Sequence, residues 1–446
     1  MTYVLHRTLN TDLPTVVGGD GNYLIDAEGR RYLDACGGAA VSCLGHSNAA
    51  VREAVKQQID KIAFAHTSFF TNEPAEELAE FLIKRAPRGI GNGRVMFVGS
   101  GSEAMEAALK LARQYHLERG EASRTKIIAR RPSYHGNTLG ALATGAHASR
   151  SAPYRPILID VDHIEAAYDY RMRKHDESEE HFGLRMANQL EDRIQALGPQ
   201  NVMAFVAEPV VGASLGTQSA PAGYFRRIRE ICDTYGVLYI ADEVMCGMGR
   251  TGSLFALEQE GIHADITTMA KGLGAGYQPI AAVMASEPII SAIESGSGQL
   301  WNGHTYMSHA VATAGALAVQ KFIENENLLD NVRARGAQLE NALNQTFGQV
   351  PNVGNIRGRG LFWSVELVSN KTTKEPFPAA QKLAPKIQKA ALELGLMSYP
   401  SQGCADGING DHVLLAPSYT SSEAEIELIV ATIARAIENA LDQVGS

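Results

Sequence analysis

The stretch "VLYIADEVMCGMGRTG", residues 237–252, runs five apolar residues into two adjacent carboxylates and then into a loop with three glycines. A nearly continuous apolar run of this length predicts a strand buried on both faces of a sheet. In sheets covered by helices, ligands collect at the carboxyl ends of the strands, which is where Asp242 and Glu243 stand. Two acids at a strand end also satisfy a plainer account, in which they face water. Along an extended backbone successive side chains alternate sides, so Asp242 and Val244 share one side and Glu243 takes the other.

Similar runs recur along the chain: "RVMFV" (94–98), "KIIA" (126–129), "PILIDV" (156–161), "VMAFVA" (202–207), "ITTMA" (266–270) and "IAAVMA" (280–285). Between them lie helical stretches such as "SEAMEAALKLARQYHLERG" (102–120). There Met105, Ala108, Leu109, Ala112 and Tyr115 keep a 3.6-residue spacing and Gly120 suits the C-terminal cap. This alternation predicts an α/β fold with a mostly parallel sheet. The charge-rich "YDYRMRKHDESEEHFG" (168–183) reads as a solvated connector. Beyond about residue 325 the pattern changes to long helices with polar faces around "NIRGRGLFWSVEL" (355–367) and "DHVLLAPSY" (411–419), the strands expected of a separate α+β unit. The opening residues, with "GNYLIDAEGRRYLDACGG" (21–38), suggest hairpins that pack with that unit. The expected organisation is therefore a segment 1–60, a large domain 61–325 and a small domain 326–446.

Composition excludes several classes of function. The 446 residues are 45% hydrophobic and 20% charged, which is ordinary for a globular protein. A net charge of −9 supplies no basic footprint for nucleic acid. No apolar run approaches the roughly 18 residues that a membrane span needs, and "MTYVLHRTLNTDLP" lacks the apolar core of a signal peptide. Five cysteines without a C-x-x-C pair fit reduced thiols in a cytoplasm better than disulfides or zinc, and no H-E-x-x-H spacing suggests a metal.

Three further stretches could carry chemistry. "FVGSGSEAMEAALK" (97–110) is a strand, a small-residue turn and a helix start. Gly101 permits close backbone approach, Ser100 and Ser102 offer hydroxyls, and the free N–H groups of a helix N-terminus favour a phosphate. A simple serine cap explains the same residues. "RRPSYHGNT" (130–138) presents Tyr134, His135 and Gly136 at a strand end, where an aromatic beside a glycine can lie flat over a planar ring or be an ordinary loop residue. "MAKGLGAG" (269–276) sets Lys271 between an apolar strand and a glycine-rich loop. Desolvation there lowers the amine pKa, and a neutral amine can form a Schiff base. A phosphate cradle, a stacking ring, an acid and such a lysine are together the parts of a pyridoxal phosphate site, in which the acid keeps the pyridine nitrogen protonated.

Over nearly its whole length the sequence resembles the class III pyridoxal-phosphate aminotransferases of fold type I. The resemblance runs through "LGHSNAAV", "SGSEAMEAALKLARQYH", "SYHGNT", "AEPVVGA", "ADEVMCGMGRTG", "MAKGLGAGYQPIAAV", "GHTY" and "IRGRGLFWSVEL". It implies a seven-stranded, mostly parallel sheet in the large domain and a small domain built from both termini. It also implies that Lys271 holds the cofactor covalently, Asp242 pairs with the pyridine nitrogen, and Ser100, Gly101 and Ser102 hold the phosphate. Tyr134, with His135 beside it, and Val244 would flank the ring, and Glu208 would support them. Thr305 would reach the phosphate of a neighbouring subunit in a homodimer or a tetramer, while Arg357 and Phe69 would meet the substrate. Relatives that handle ornithine or 4-aminobutyrate carry a glutamate where this chain has Ala213 and a glutamine where it has Met245. "YMSHAVA" (306–312) departs from the family's usual pattern after Thr305. Since Ala213 cannot pair with Arg357, the resemblance points to an omega-amine or omega-amino acid donor and a small 2-oxo acid acceptor, with pyruvate favoured. A decarboxylase or aminomutase on the same fold is the alternative. A nucleotide-dependent dehydrogenase would need a G-x-G-x-x-G turn that the chain lacks.

Overall fold

The computed structural model describes residues 3–444. Three short strands, β1 (Val16–Asp20), β2 (Tyr23–Asp26) and β3 (Arg31–Asp34), form an antiparallel meander near the N-terminus. The central sheet takes β4 (Arg94–Val98), β5 (Lys126–Arg131), β6 (Asp162–Glu165) and β7 (Val202–Ala207). A two-stranded ribbon, β8 (Val210–Val211) with β9 (Gln218–Ser219), interrupts the chain before β10 (Leu238–Asp242), β11 (Ile266–Met269) and β12 (Ala281–Ala285) complete that sheet. Its order is β4-β12-β11-β10-β7-β5-β6, and only β12 runs antiparallel to its neighbours.

Alternation across this sheet explains the unbroken apolar runs. Ala204, Val206, Leu238 and Ile240 face a layer that includes Met105, Ala108 and Leu109 of the helix Gly101–Glu118. Phe205, Ala207, Tyr239 and Ala241 face the helices Glu179–Leu197 and Tyr224–Tyr235, through Phe182, Met186, Leu190, Phe225 and Ile228. With helices on both sides, neither parity of side chain meets water. Each large apolar side chain buried this way contributes roughly 1.5–3 kcal/mol.

The C-terminal part supplies β13 (Val353–Arg359), β14 (Phe362–Leu367), β15 (Leu396–Met397), β16 (Tyr399–Gln402) and β17 (Asp411–Leu415). Four of these form an antiparallel sheet in the order β13-β14-β17-β16. The helices Leu328–Phe347, Leu383–Glu393 and Glu423–Asp442 share one apolar cluster with it. β15 instead pairs with β3 in parallel, Leu396 opposite Leu33, so the two ends of the chain meet in one sheet.

Two local expectations are corrected. "PILIDV" is not a strand: residues 152–157 form a 3-10 turn, Ile157 and Ile159 are exposed, and β6 begins only at Asp162. Pro156 lacks the N–H that a ladder needs there. Nor is 168–183 a purely solvated connector, since Tyr168, Phe182 and Gly183 are buried. Arg171 donates to Glu366 Oε1 from Nε at 2.8 Å and from its terminal nitrogen at 2.6 Å, and the Tyr168 hydroxyl donates to the same carboxylate.

Glu366 has no exposed side-chain surface and also accepts from Arg357 at 2.7 Å. Burial pushes its carboxyl up, but the Arg357 and Arg171 charges and the hydrogen bonds outweigh it and hold the pKa below the usual range. Glu366→Ala leaves two guanidinium groups without their buried counter-charge, and a loss of about 3–5 kcal/mol is expected in urea unfolding. Because the folded pKa is depressed, this stabilisation is present above the unfolded glutamate pKa and is lost as pH falls through the folded value.

Candidate active site

At the carboxyl ends of β10 and β11 the chain encloses a cavity of about 460 Å³. Ser100, Gly101 and Ser102, Tyr134 and His135, Glu208, Asp242 and Val244, and Lys271 all line it. These residues arrive from five places in the sequence, at the ends of β4, β5, β7, β10 and β11, as the strand order dictates.

Asp242 is only 4% exposed. Its carboxylate accepts from His135 Nδ1 at 2.8 Å and from the Val244 N–H at 3.0 Å, with the Thr268 hydroxyl at 3.4 Å. His135 Nε2 is buried with no hydrogen-bond partner among the described residues. Glu243 does point away: it accepts from the N–H groups of Ala256 and Leu257 at 2.6 and 3.0 Å, and burial pushes its pKa to about 7. Two neighbouring acids thus have different work, one facing the cavity and one capping a turn.

Ser100 caps the helix Gly101–Glu118 by accepting from the Glu103 N–H at 3.2 Å. Ser102 accepts from the Asn137 N–H at 2.9 Å, which ties the helix start to the Tyr134–Gly136 loop. A Cβ on Gly101 would lie 3.0 Å from Val244, and one on Gly136, whose φ is +137°, would lie 2.7 Å from the Ser102 hydroxyl. Only glycine permits that approach. Glu208 accepts from the N–H groups of Tyr134 at 3.2 Å and Gly212 at 2.9 Å. Burial raises its pKa.

Lys271 sits in the left-handed region, φ +46°, directly after the buried strand β11. A non-glycine residue held there is strained, at a cost on the order of 1–3 kcal/mol. Its Nζ donates to the Ala39 carbonyl at 2.9 Å. Burial pushes the amine down to about 8, with Asp242 and Glu208 opposing the shift and Arg150 and Arg250 adding to it. The residue keeps some exposure toward the cavity.

Three expected residues lie elsewhere. Arg357 does not line the cavity. Its fork is filled by Glu366, by Asn355 at 2.9 Å, and by the carbonyls of Gly216, at 2.7 Å, and Leu215. Its guanidinium also stacks 5.0 Å from the Tyr168 ring centroid. Sequence reasoning that left this arginine unpaired overlooked Glu366, nine positions along on the neighbouring strand, where it stands opposite Asn355 and diagonal to Arg357. Phe69, 78% exposed, and Thr305, also exposed, lie outside the cavity of this chain. Conversely Val41, Gln278 and Ile280 line it unannounced, and the Ala39 carbonyl comes from a segment read only as hairpin. "GYQPI", just after the glycine-rich loop, was the available signal for Gln278 and Ile280.

Residues 7–437 match the family model described as aminotransferase class-III. An uncharacterized aminotransferase of Schizosaccharomyces pombe is 42% identical, with 98% of this chain and 95% of the relative aligned. One from Bacillus subtilis is 37% identical over 98% and 97%. Among solved structures, the omega transaminase of Pseudomonas jessenii in complex with PMP superposes with a TM-score of 0.92 at 34% identity, covering 99% of this chain and 97% of that one.

The depressed Lys271 pKa predicts a stability effect in cofactor-free protein. An unfolded lysine titrates near 10.4, so below about pH 8 the folded chain bears the cost of a desolvated ammonium. That cost disappears as pH rises from about 8 to the unfolded value. Lys271→Met should raise the thermal midpoint at pH 7, and the gain over wild type should shrink progressively up to pH 10.

Proposed function

The chain belongs to the class III aminotransferases and is a pyridoxal-phosphate enzyme, and on that premise we propose that it moves an amino group from an omega-amine or omega-amino acid to a small 2-oxo acid, with pyruvate favoured. The residues present fit the cofactor. A helix N-terminus with a glycine at its point of closest approach suits a phosphate, and a buried, hydrogen-bonded carboxylate suits a ring nitrogen. Gly101 and Ser102, with Ser100 beside them, would hold the phosphate; Asp242 would pair with the ring nitrogen; Tyr134 and Val244 would flank the ring; Lys271 would attach it. When bound, the cofactor supplies an electron-withdrawing ring that stabilises negative charge on the substrate carbon.

The chain's own groups do the rest. Lys271, with an amine pKa near 8, is neutral in roughly one chain in ten at pH 7 and can take and return a proton at Nζ. His135 fixes the orientation of Asp242, and Glu208 fixes the backbone of Tyr134. The large cofactor-binding domain is taken as 61–325, the small domain as 326–446 and the segment packing on it as 1–60. Five free cysteines, all buried, favour a reducing cytoplasm, and among the described residues no helix is long and apolar enough to cross a membrane.

The observation that carries the donor class is the closed pairing of Arg357 with Glu366. An amine without an α-carboxylate leaves no bare guanidinium behind at this position, so no glutamate is needed at 213. Ala213, Met245 and Val41 add apolar wall to the cavity. Steady-state kcat/KM should be higher with pyruvate than with 2-oxoglutarate when a simple primary amine is the donor; a clear preference for 2-oxoglutarate, or activity confined to ornithine-like donors, overturns the substrate reading.

Thr305 and Phe69, both exposed, are proposed to complete the site of a second copy in a homodimer, or in a tetramer built from it. Thr305→Ala and Lys271→Ala subunits, each impaired alone, should regain activity when mixed under conditions of demonstrated subunit exchange. Absence of recovery counts against the shared site.

A further inference from the structure

We propose that Arg150 is the carboxylate-recognising residue for the 2-oxo acid, a role that rests on the transamination reading above. Its guanidinium carbon lies 4.5 Å from the centroid of the Tyr134 ring, and that ring lines the cofactor cavity. The residue is half-buried, so its charge is partly desolvated without being sealed from a ligand. Among the described residues its side chain makes no hydrogen bond and no ion pair; the stacking on Tyr134 is its one polar contact.

The neighbouring arginines are committed by comparison. Arg130 donates to the Glu208 carbonyl and packs against Tyr224 and Phe225. Arg250 is 1% exposed and donates to the carbonyls of Leu361 and Pro417 at 2.9 and 2.6 Å. Arg357 is closed by Glu366. Arg250 keeps Nε and one terminal nitrogen without a partner and Arg130 its Nε, but both side chains are sealed at 1% exposure. Arg150 alone of the four is both unpaired and partly exposed, and a planar fork of N–H donors matches the two oxygens of a carboxylate. Its charge is close enough to be felt by the Lys271 amine, which it pushes downward. Seated on the Tyr134 ring at the edge of the cavity, that cation can reach the carboxylate of a short 2-oxo acid bound there.

The stacking supplies the orientation that a lone surface arginine lacks. An aromatic face attracts a guanidinium and leaves its edge free to donate. Tyr134 is in turn held by the bond from its N–H to Glu208. The cation and the cofactor ring are therefore referred to one fixed side chain.

The test compares substrates with and without a carboxylate on the holoenzyme, using Arg150→Ala and Arg150→Lys. Loss of charge-assisted hydrogen bonds to a carboxylate predicts a rise in the KM for pyruvate of roughly tenfold or more in Arg150→Ala, with a smaller rise in Arg150→Lys. The half-reaction with 1-phenylethylamine, which has no carboxylate, should stay within about twofold of wild type, since no charged contact is removed. Calorimetric binding of propionate, an unreactive carboxylate, should weaken in step with the pyruvate KM. Unchanged pyruvate KM and propionate affinity overturn the role of Arg150, as does equal damage to both half-reactions, which would mark a structural residue. Failure of the wild-type enzyme to transaminate any amine with pyruvate is a separate result, and it sinks the substrate reading instead.

Discussion

Everything at this site depends on holding one amine where water cannot solvate it fully. An ammonium is cheap in water and costly beside a buried strand, so the Lys271 pKa falls to about 8 only because β11 delivers it there. The strained φ of +46° at the same residue is the backbone's share of that placement. Asp242 and Glu208 keep the shift from going further. The balance leaves an amine that is neither locked as a cation nor stripped of its proton at all pH values.

The sheet makes this balance possible by being covered twice. Because neither face of β7 or β10 meets solvent, their side chains can be apolar at every position, and polarity is concentrated at the strand ends. Asp242 and Glu243 are adjacent in sequence, yet one is held by His135 and the other satisfies the start of a 3-10 turn. Strand geometry alone separates them.

That geometry was legible in the sequence because it is local. Apolar runs, the glycine at 101 and the lysine at 271 each announce their placement within a few residues, and the direction of Asp242 followed from alternation. Three things were not legible, because they depend on residues far apart. The partner of Arg357 sits across a hairpin and is shared with Arg171 and Tyr168 from 195 and 198 positions away. The open fork of Arg150 is visible only once its ring partner Tyr134 and its committed neighbours are in place. The strand read at 156–161 fell on surface residues, where apolarity reports something other than a sheet interior.

The carbonyl that accepts from Lys271 belongs to Ala39, and the segment carrying Ala39 follows β3, which is zipped to β15 by Leu33 and Leu396. An early part of the chain is thus fastened by a late one. On the ribosome, the large sheet can form while residues near 396 are still unsynthesised, since domains fold as their residues emerge. The lysine would then already stand in its strained pose, with its carbonyl partner not yet anchored. Completion of the amine's surroundings therefore waits on the last stretch of the chain to be made, because residues 396 and 397 fasten the strand that leads into Ala39.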